Sequence, residues 1–401
     1  MQSNHITIIV LGLLLFGMSL VLTQPKSASQ PTRTAALTLP GFIPGSKPDN
    51  TNPPKPQQQP LIEVVLVLDT TGPLAGLIDG AKQKIWSIIN ELKQGRPEPV
   101  LRIGLVGYRD RGDAYVTRHS DLSEDIDAVY TDLMSFQAGG GGDTPESVNQ
   151  ALHEAVNRFQ WSRDPDTLRV VFLVGDAPPK SYQDDVPYTT TCALARDKDI
   201  IINTIQCGRM TETTGIWKSI AQMGHGGFAA IRQDGGMVVA TSPYDAQIEK
   251  LNRDISATVL PYGNRVQRDS ARKKMEVASG LGGYAAAERQ MYVAASEPSA
   301  AITGRGDLLA DVTNDAVDLD ELSKKDLPDE FKGLSKNEIE AKIIGKIERR
   351  RKMQEELAQL LDQRKTYIEE NAPGEGEEED AFDAQVKDMV RTQAATKAIV
   401  Y

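Results

Sequence analysis

Cysteine is nearly missing from this chain, with only Cys192 and Cys207 among 401 residues. That excludes a disulfide-framework fold and any four-cysteine zinc site. Histidine is equally scarce: His5, His119, His153 and His225 are the whole complement, too few for a multi-histidine metal enzyme. No GxSxG, GxxxxGKS/T or HExxH signature occurs, so the familiar hydrolase and nucleotide-binding loops are absent. Positive charge is also short. Lys+Arg number 45 against 56 Asp+Glu, a net −11, and no segment has the basic surplus that neutralising a row of phosphates requires. Nucleic acid is therefore not expected as a partner.

What is present begins with Ile6–Leu22, seventeen uncharged, mostly apolar residues. As a helix at ~1.5 Å per residue they span about 26 Å, slightly less than a ~30 Å hydrocarbon layer. The run is longer than most signal-peptide cores, and Lys26-Ser27-Ala28 and Thr34-Ala35-Ala36 are poor cleavage sites. The expectation is export to a periplasm or cell envelope, with residues 1–22 either a cleaved signal or a retained membrane anchor. Residues 23–60 hold nine of the 22 prolines. A tract so poor in apolar residues forms no core, and a disordered, extended tether reaching roughly 100 Å is expected.

From residue 61 strand and helix patterns alternate. Leu61–Leu68 and Leu168–Gly175 are near-continuous apolar runs, which suit strands buried on both faces. Further strands are expected at 101–108, 200–206 and 227–231. Helices are expected at 75–93, 123–136, 145–159, 189–198, 214–223 and 246–260, with Thr144 capping the third. This alternation predicts a Rossmann-like, doubly wound, mostly parallel α/β sheet over residues 61–262. In such sheets ligands bind at the carboxyl ends of the strands.

Those ends carry Asp69-Thr70-Thr71-Gly72-Pro73 and Asp176-Ala177-Pro178-Pro179, with Gly139–Gly142 and Asp143-Thr144-Pro145-Glu146 between them. Asp69, Thr71, Asp143, Thr144 and Asp176 are thus the candidate ligands of a cation. Hard oxygen donors without His or Cys favour Mg²⁺, with Mn²⁺ or Ca²⁺ also accommodated. A glycine run lets backbone approach a ligand closely.

On these residues the module resembles a von Willebrand factor type A domain, with motifs similar to those of exported bacterial proteins of that class. The motifs are Asp69–Leu74, Gly107–Asp110, Gly139–Glu146 and Gly175–Pro179, and the likeness covers most of residues 61–401. It implies a metal-ion-dependent adhesion site with Asp69 and Thr71 as its first two ligands, Asp176 as its last, and Asp143 or Thr144 from the loop. It also implies a protein partner that completes the metal with an acidic group. One departure stands out: the third position of the first motif is Pro73 where the family has Ser. Proline offers neither hydroxyl nor N–H, so a direct ligand is lost. A working divalent site and a degenerate one both stay open.

Other features are less specific. Asp110 fits either support for the cation or an Arg–Asp surface network. Arg-Gly-Asp at 111–113 and 305–307 is too short a match to imply an integrin ligand. Cys192 and Cys207 read more readily as packed thiols than as a bridge, because their axial positions differ by about 14 Å.

Residues 263–401 form a charged helical region without tryptophan. A long Ala-rich helix is expected over 264–296 and a strong one over 335–371, opened by Ser335 with Glu338 three positions on. Its apolar stripe, Ile339 to Tyr367, is interrupted by Arg350 and Arg364, so packing within the chain and coiled-coil oligomerisation remain two readings. Eight acids among residues 369–383 suggest a solvated loop, and a short helix is expected near 381–395. The favoured function is non-catalytic: capture of a protein or ligand at the cation site. A metal-independent assembly role through the C-terminal helices is the alternative, and a metal-dependent hydrolase a more distant one.

Overall fold

The computed structural model describes residues 59–142, 144–371 and 381–401. The apolar stretch Ile6–Leu22, the tether as far as residue 58, the candidate ligand Asp143 and the acidic residues 372–380 lie outside the described residues.

The first half runs β1 (Leu61–Asp69), α1 (Ala75–Leu92), β2 (Val100–Tyr108), β3 (Thr117–Ser123), α2 (Ile126–Ser135), α3 (Val148–Asn157) and β4 (Leu168–Gly175). It continues as α4 (Tyr188–Asp197), β5 (Ile200–Cys207), α5 (Thr211–Met223), β6 (His225–Ile231) and α6 (Asp245–Ser256). The C-terminal helices are α7 (Arg265–Ser279), α8 (Gly283–Ser296), α9 (Leu308–Thr313), α10 (Lys336–Glu370) and α11 (Phe382–Ala394).

The strands make one sheet in the order β3-β2-β1-β4-β5-β6. Every neighbouring pair is parallel except β2–β3. Alternation along each strand sends side chains to two cores. Leu66, Leu68, Phe172 and Val174 meet α1, α2, α8 and α11 on one face. Val65, Val67, Val171 and Leu173 meet α3, α4 and α5 on the other. The expected doubly wound α/β sheet followed by a helical region is the observed fold.

Several local expectations change. Edge strand β3 carries the sequence TRHSDLS, mostly polar, so no apolar signal marks it. The expected long helix 264–296 is two helices, α7 and α8, separated at Gly280-Leu281-Gly282. Helix α3 starts at Val148 rather than Pro145. Its approach is taken by a bridge to the loop after β4, where Glu146 N–H donates to the Pro178 carbonyl and Lys180 N–H to that of Glu146. Thr144 is exposed and caps nothing.

The C-terminal helices join the module's own core. Phe382, Val386, Val390 and Ala394 of α11 are buried against the sheet with Ala285, Ala286 and Val293 of α8. An outer helical layer follows, in which Leu357, Leu360 and Leu361 of α10 pack on Ile248, Leu251 and Ile255 of α6. Residues 56–401 accordingly form one compact unit.

Arg350 and Arg364, which break the heptad, are what fasten α10 to the rest of the chain. Arg350 is 2 % exposed; it pairs with Asp307 through two N–H bonds and donates to Thr258 and Ser299. Arg364 binds Asp245 at 3.0 Å and Glu288 at 3.2 Å. The capping box opening α10 is present as expected, with Ser335 and Glu338 satisfying each other's backbone N–H. Asp307, fully buried in the Arg350 pair, removes the second Arg-Gly-Asp from any surface role. Among the described residues no helix is long and apolar enough to cross a membrane.

Candidate functional site

Strand order places the topological switch point between β1 and β4, because β2 and β4 flank β1 on opposite sides. At such a switch point the loops leave in opposite directions and open a crevice at the carboxyl ends. Asp69 is the last residue of β1, and Asp176 follows the last residue of β4. Gly175 lets the two ends approach. A Cβ there would lie 2.3 Å from the Tyr108 hydroxyl and 3.0 Å from Asp69 Cβ.

Asp69 is fully buried. Its Oδ1 accepts the Thr71 N–H at 2.8 Å and the Thr71 hydroxyl at 2.7 Å, while its Oδ2 has no partner. Burial above all, with repulsion from Asp176, pushes the Asp69 carboxyl up to about 7, against the two Thr71 hydrogen bonds and Arg109. Arg109 does not neutralise it closely, for its guanidinium is engaged by the carbonyls of Thr70 at 3.1 Å and Gln137 at 2.6 Å. Asp176 is half-buried, and its Oδ2 accepts from Gln233 Nε2 at 2.6 Å.

The glycine loop closes beside them. Gly139 N–H donates to the Thr70 carbonyl at 3.0 Å and Gly72 N–H to that of Gly140. Gly140 and Gly141 have φ of +76° and +79°, where a side chain is strained; a Cβ on Gly141 would sit 3.0 Å from Thr71. Asp69, Thr71 and Asp176 are therefore gathered at the strand ends. Thr144 is exposed, and Asp143 lies outside the described residues.

Glu146 was not among the residues singled out, although it ends the glycine-loop motif. Its side chain is buried and its Oε2 has no partner. Burial, followed by repulsion from Asp69, Asp110, Asp113 and Asp176, pushes it up to about 8. Asp110 belongs to no surface network; it is 2 % exposed. It accepts from Lys180 at 2.6 Å, Ser147 at 2.8 Å and Tyr182 at 2.8 Å. Burial works against its charge, but these donors outweigh it and hold the carboxyl below its ordinary value. Arg111 lies over the Tyr182 ring at 3.9 Å and pairs with Asp184 and Asp185, so the first Arg-Gly-Asp is also engaged internally. The cysteines are free and buried on opposite faces of the sheet, Cys192 among α3–α5 and Cys207 with α1 and α11.

Among the described residues no three His, Cys, Asp or Glu side chains cluster as a metal centre. The donor set nevertheless fits a hard cation. A buried carboxylate oxygen without a hydrogen bond is costly, and Asp69 Oδ2 is such an atom, beside a threonine hydroxyl and a second carboxylate.

Fold and site together define an open, doubly wound α/β domain with Asp69 and Asp176 at its switch point. Residues 63–237 match the family model described as von Willebrand factor A domain. Such domains typically mediate protein–protein interaction or adhesion. Von Willebrand factor A domain-containing protein 7 of Mus musculus is 36 % identical over 122 residues, 30 % of this chain and 12 % of that protein. Its Rattus norvegicus counterpart matches to the same extent. An ariadne-like RING finger protein of Acanthamoeba polyphaga mimivirus is 24 % identical over 121 residues, 30 % of this chain and 11 % of that one. The chain thus spans about a tenth of the length of these relatives. Proximal thread matrix protein 1 from the mussel byssus aligns with 44 % of this chain and 43 % of its own, at 14 % identity and a TM-score of 0.31.

Proposed function

We propose that this protein captures a protein or ligand, without catalysis, at the carboxyl-end crevice of its sheet, through a divalent cation held by Asp69, Thr71 and Asp176. The single observation that carries the reading is the orphaned, fully buried Asp69 Oδ2 at the switch point. A cation held there by Asp69, Thr71 and Asp176 would supply a Lewis-acidic position for an acidic group of the partner. Thr71 would contribute its hydroxyl oxygen, whose hydrogen is already spent on Asp69. Pro73 offers no hydroxyl or N–H to a cation, and water would serve instead, as it commonly does around Mg²⁺. Asp143, the acidic candidate of the glycine loop, lies outside the described residues. Mg²⁺ is the favoured ion, with Mn²⁺ or Ca²⁺ accepted.

The proposed setting is the cell envelope of an exporting cell, with Ile6–Leu22 as signal or anchor and the proline-rich tract as spacer. The alternative, assembly through the C-terminal helices, is disfavoured by α10, whose Leu357, Leu360, Leu361, Arg350 and Arg364 are spent on its own chain. Titration calorimetry with Mg²⁺ and Mn²⁺, together with capture of partners from native envelope with and without chelator, tests the proposal. Cation binding and chelator-sensitive capture support it. An unchanged set of captured partners, together with no heat from either ion, refutes it.

A further inference from the structure

We infer that Gln233 is a positioning residue for the cation ligand Asp176, carried on a loop that the C-terminal helices hold in place. This rests on the cation-site reading above. Gln233 Nε2 donates to Asp176 Oδ2 at 2.6 Å, and Thr213 Oγ1 donates to the Asp176 carbonyl at 2.8 Å. The same glutamine closes over Gly208 at the end of β5: a Cβ there would lie 2.2 Å from Gln233 Oε1, and Gly208 has φ +78°. Its amide therefore lies across the ends of β4, β5 and β6, with one N–H committed to one oxygen of Asp176. A carboxylate pinned through Oδ2 presents Oδ1 in a fixed direction. An unpinned one has to give up rotational freedom when the ion binds. Partners that orient a ligand in this way are typically worth about 10–100-fold in metal affinity.

The loop bearing Gln233 is itself tied down from the C-terminal side. The Gly235 carbonyl accepts the N–H of Phe382, the first residue of α11, at 3.0 Å. Met237 lies against α1, its methyl 2.1 Å from where a Gly80 Cβ would be. Arg364 of α10 reaches the Ala240 carbonyl at 3.5 Å. The helices that complete the core thus also set the loop from which Gln233 reaches the site.

The test is Mn²⁺ binding to the full chain, followed by electron paramagnetic resonance, for wild type, Q233A and Q233L. The expected result is binding about 10–100-fold weaker in both variants, with a changed signal of the bound ion as Asp176 loses its fixed orientation. Melting in chelator should be unchanged, because Gln233 is exposed. Equal or tighter Mn²⁺ binding by Q233A and Q233L, with wild type binding normally, overturns this inference alone; tighter binding would make Gln233 a competitor of the ion. No Mn²⁺ binding by wild type overturns the cation-site reading along with it.

Discussion

Replacing Asp69 by asparagine should make the metal-free protein more stable at neutral pH. In the folded chain Asp69 is fully buried, and its carboxyl is raised by burial to about 7. An unfolded aspartate titrates near 3.9, so the gap is about three pH units at about 1.36 kcal/mol each, or roughly 4 kcal/mol. The sign follows from linkage: a raised folded value means stability that is complete below about pH 4. It is lost as pH rises toward and through about 7, because the unfolded chain releases the proton first. Asparagine keeps the shape, and its Oδ1 can still accept both Thr71 donors, but it never carries the charge. Residues 56–401 form the folding unit, and at ~2.1 cal/mol/K per residue its unfolding entropy is about 0.7 kcal/mol/K. In chelator at pH 8, D69N should therefore melt about 6 °C above wild type, and the two should coincide near pH 4. Mg²⁺ at about 1,000 times its Kd adds ~4 kcal/mol to a protein that binds it, so it should cancel the advantage by stabilising wild type alone. Differential scanning calorimetry over pH 4–8, with chelator and with Mg²⁺, measures all of this. If D69N melts below wild type at pH 8 in chelator, Asp69 is satisfied without a cation and the reasoning fails.

Arg289→Met strips the partner from Asp127, which Arg289 binds through Nε at 2.7 Å and Nη2 at 2.6 Å in the buried contact between α8 and α2. Loss of about 3–5 kcal/mol is expected in denaturant titration, with part of it recovered in D127N/R289M. Phe382→Ala should cost about 3–5 kcal/mol by the same measurement, because this side chain is fully enclosed between α11 and the sheet; a surface-like cost below 1 kcal/mol would mean that α11 is not part of the core. Both thiols should react with a maleimide only after unfolding, without prior reduction, since both are buried and burial pushes Cys192 up to about 11. Protection from the reagent in denaturant, lifted by reductant, would reveal a disulfide.

The sheet was legible because its central strands are buried on both faces, which favours near-continuous apolar runs such as LRVVFLVG. Strand β3 was not, since an edge strand with solvent on one side tolerates polar residues throughout. The site was legible where a strand end and a ligand-type residue coincide, as at Asp69, Thr71 and Asp176. Glu146 lay inside a quoted motif, but its burial comes from the bridge to Pro178, which no local pattern encodes. Gln233 carried no signal at all: one amide on a polar loop becomes meaningful only when folding lays it on Asp176.

The sequence by itself determined the sheet class, the carboxyl-end position of the acids and the extent of α10 with its capping box. Each follows from local periodicity or from the short-range rules of strand ends and helix caps. Tertiary structure alone decided what the charged tail does. Arg350 and Arg364 look like defects in a heptad, because periodicity carries no information about distant carboxylates. Folding brings Asp307, Asp245 and Glu288 to them, and a buried guanidinium is tolerated where such partners satisfy it. The last helix likewise finds its core across some 300 residues of chain, where Lys387 reaches Ser87.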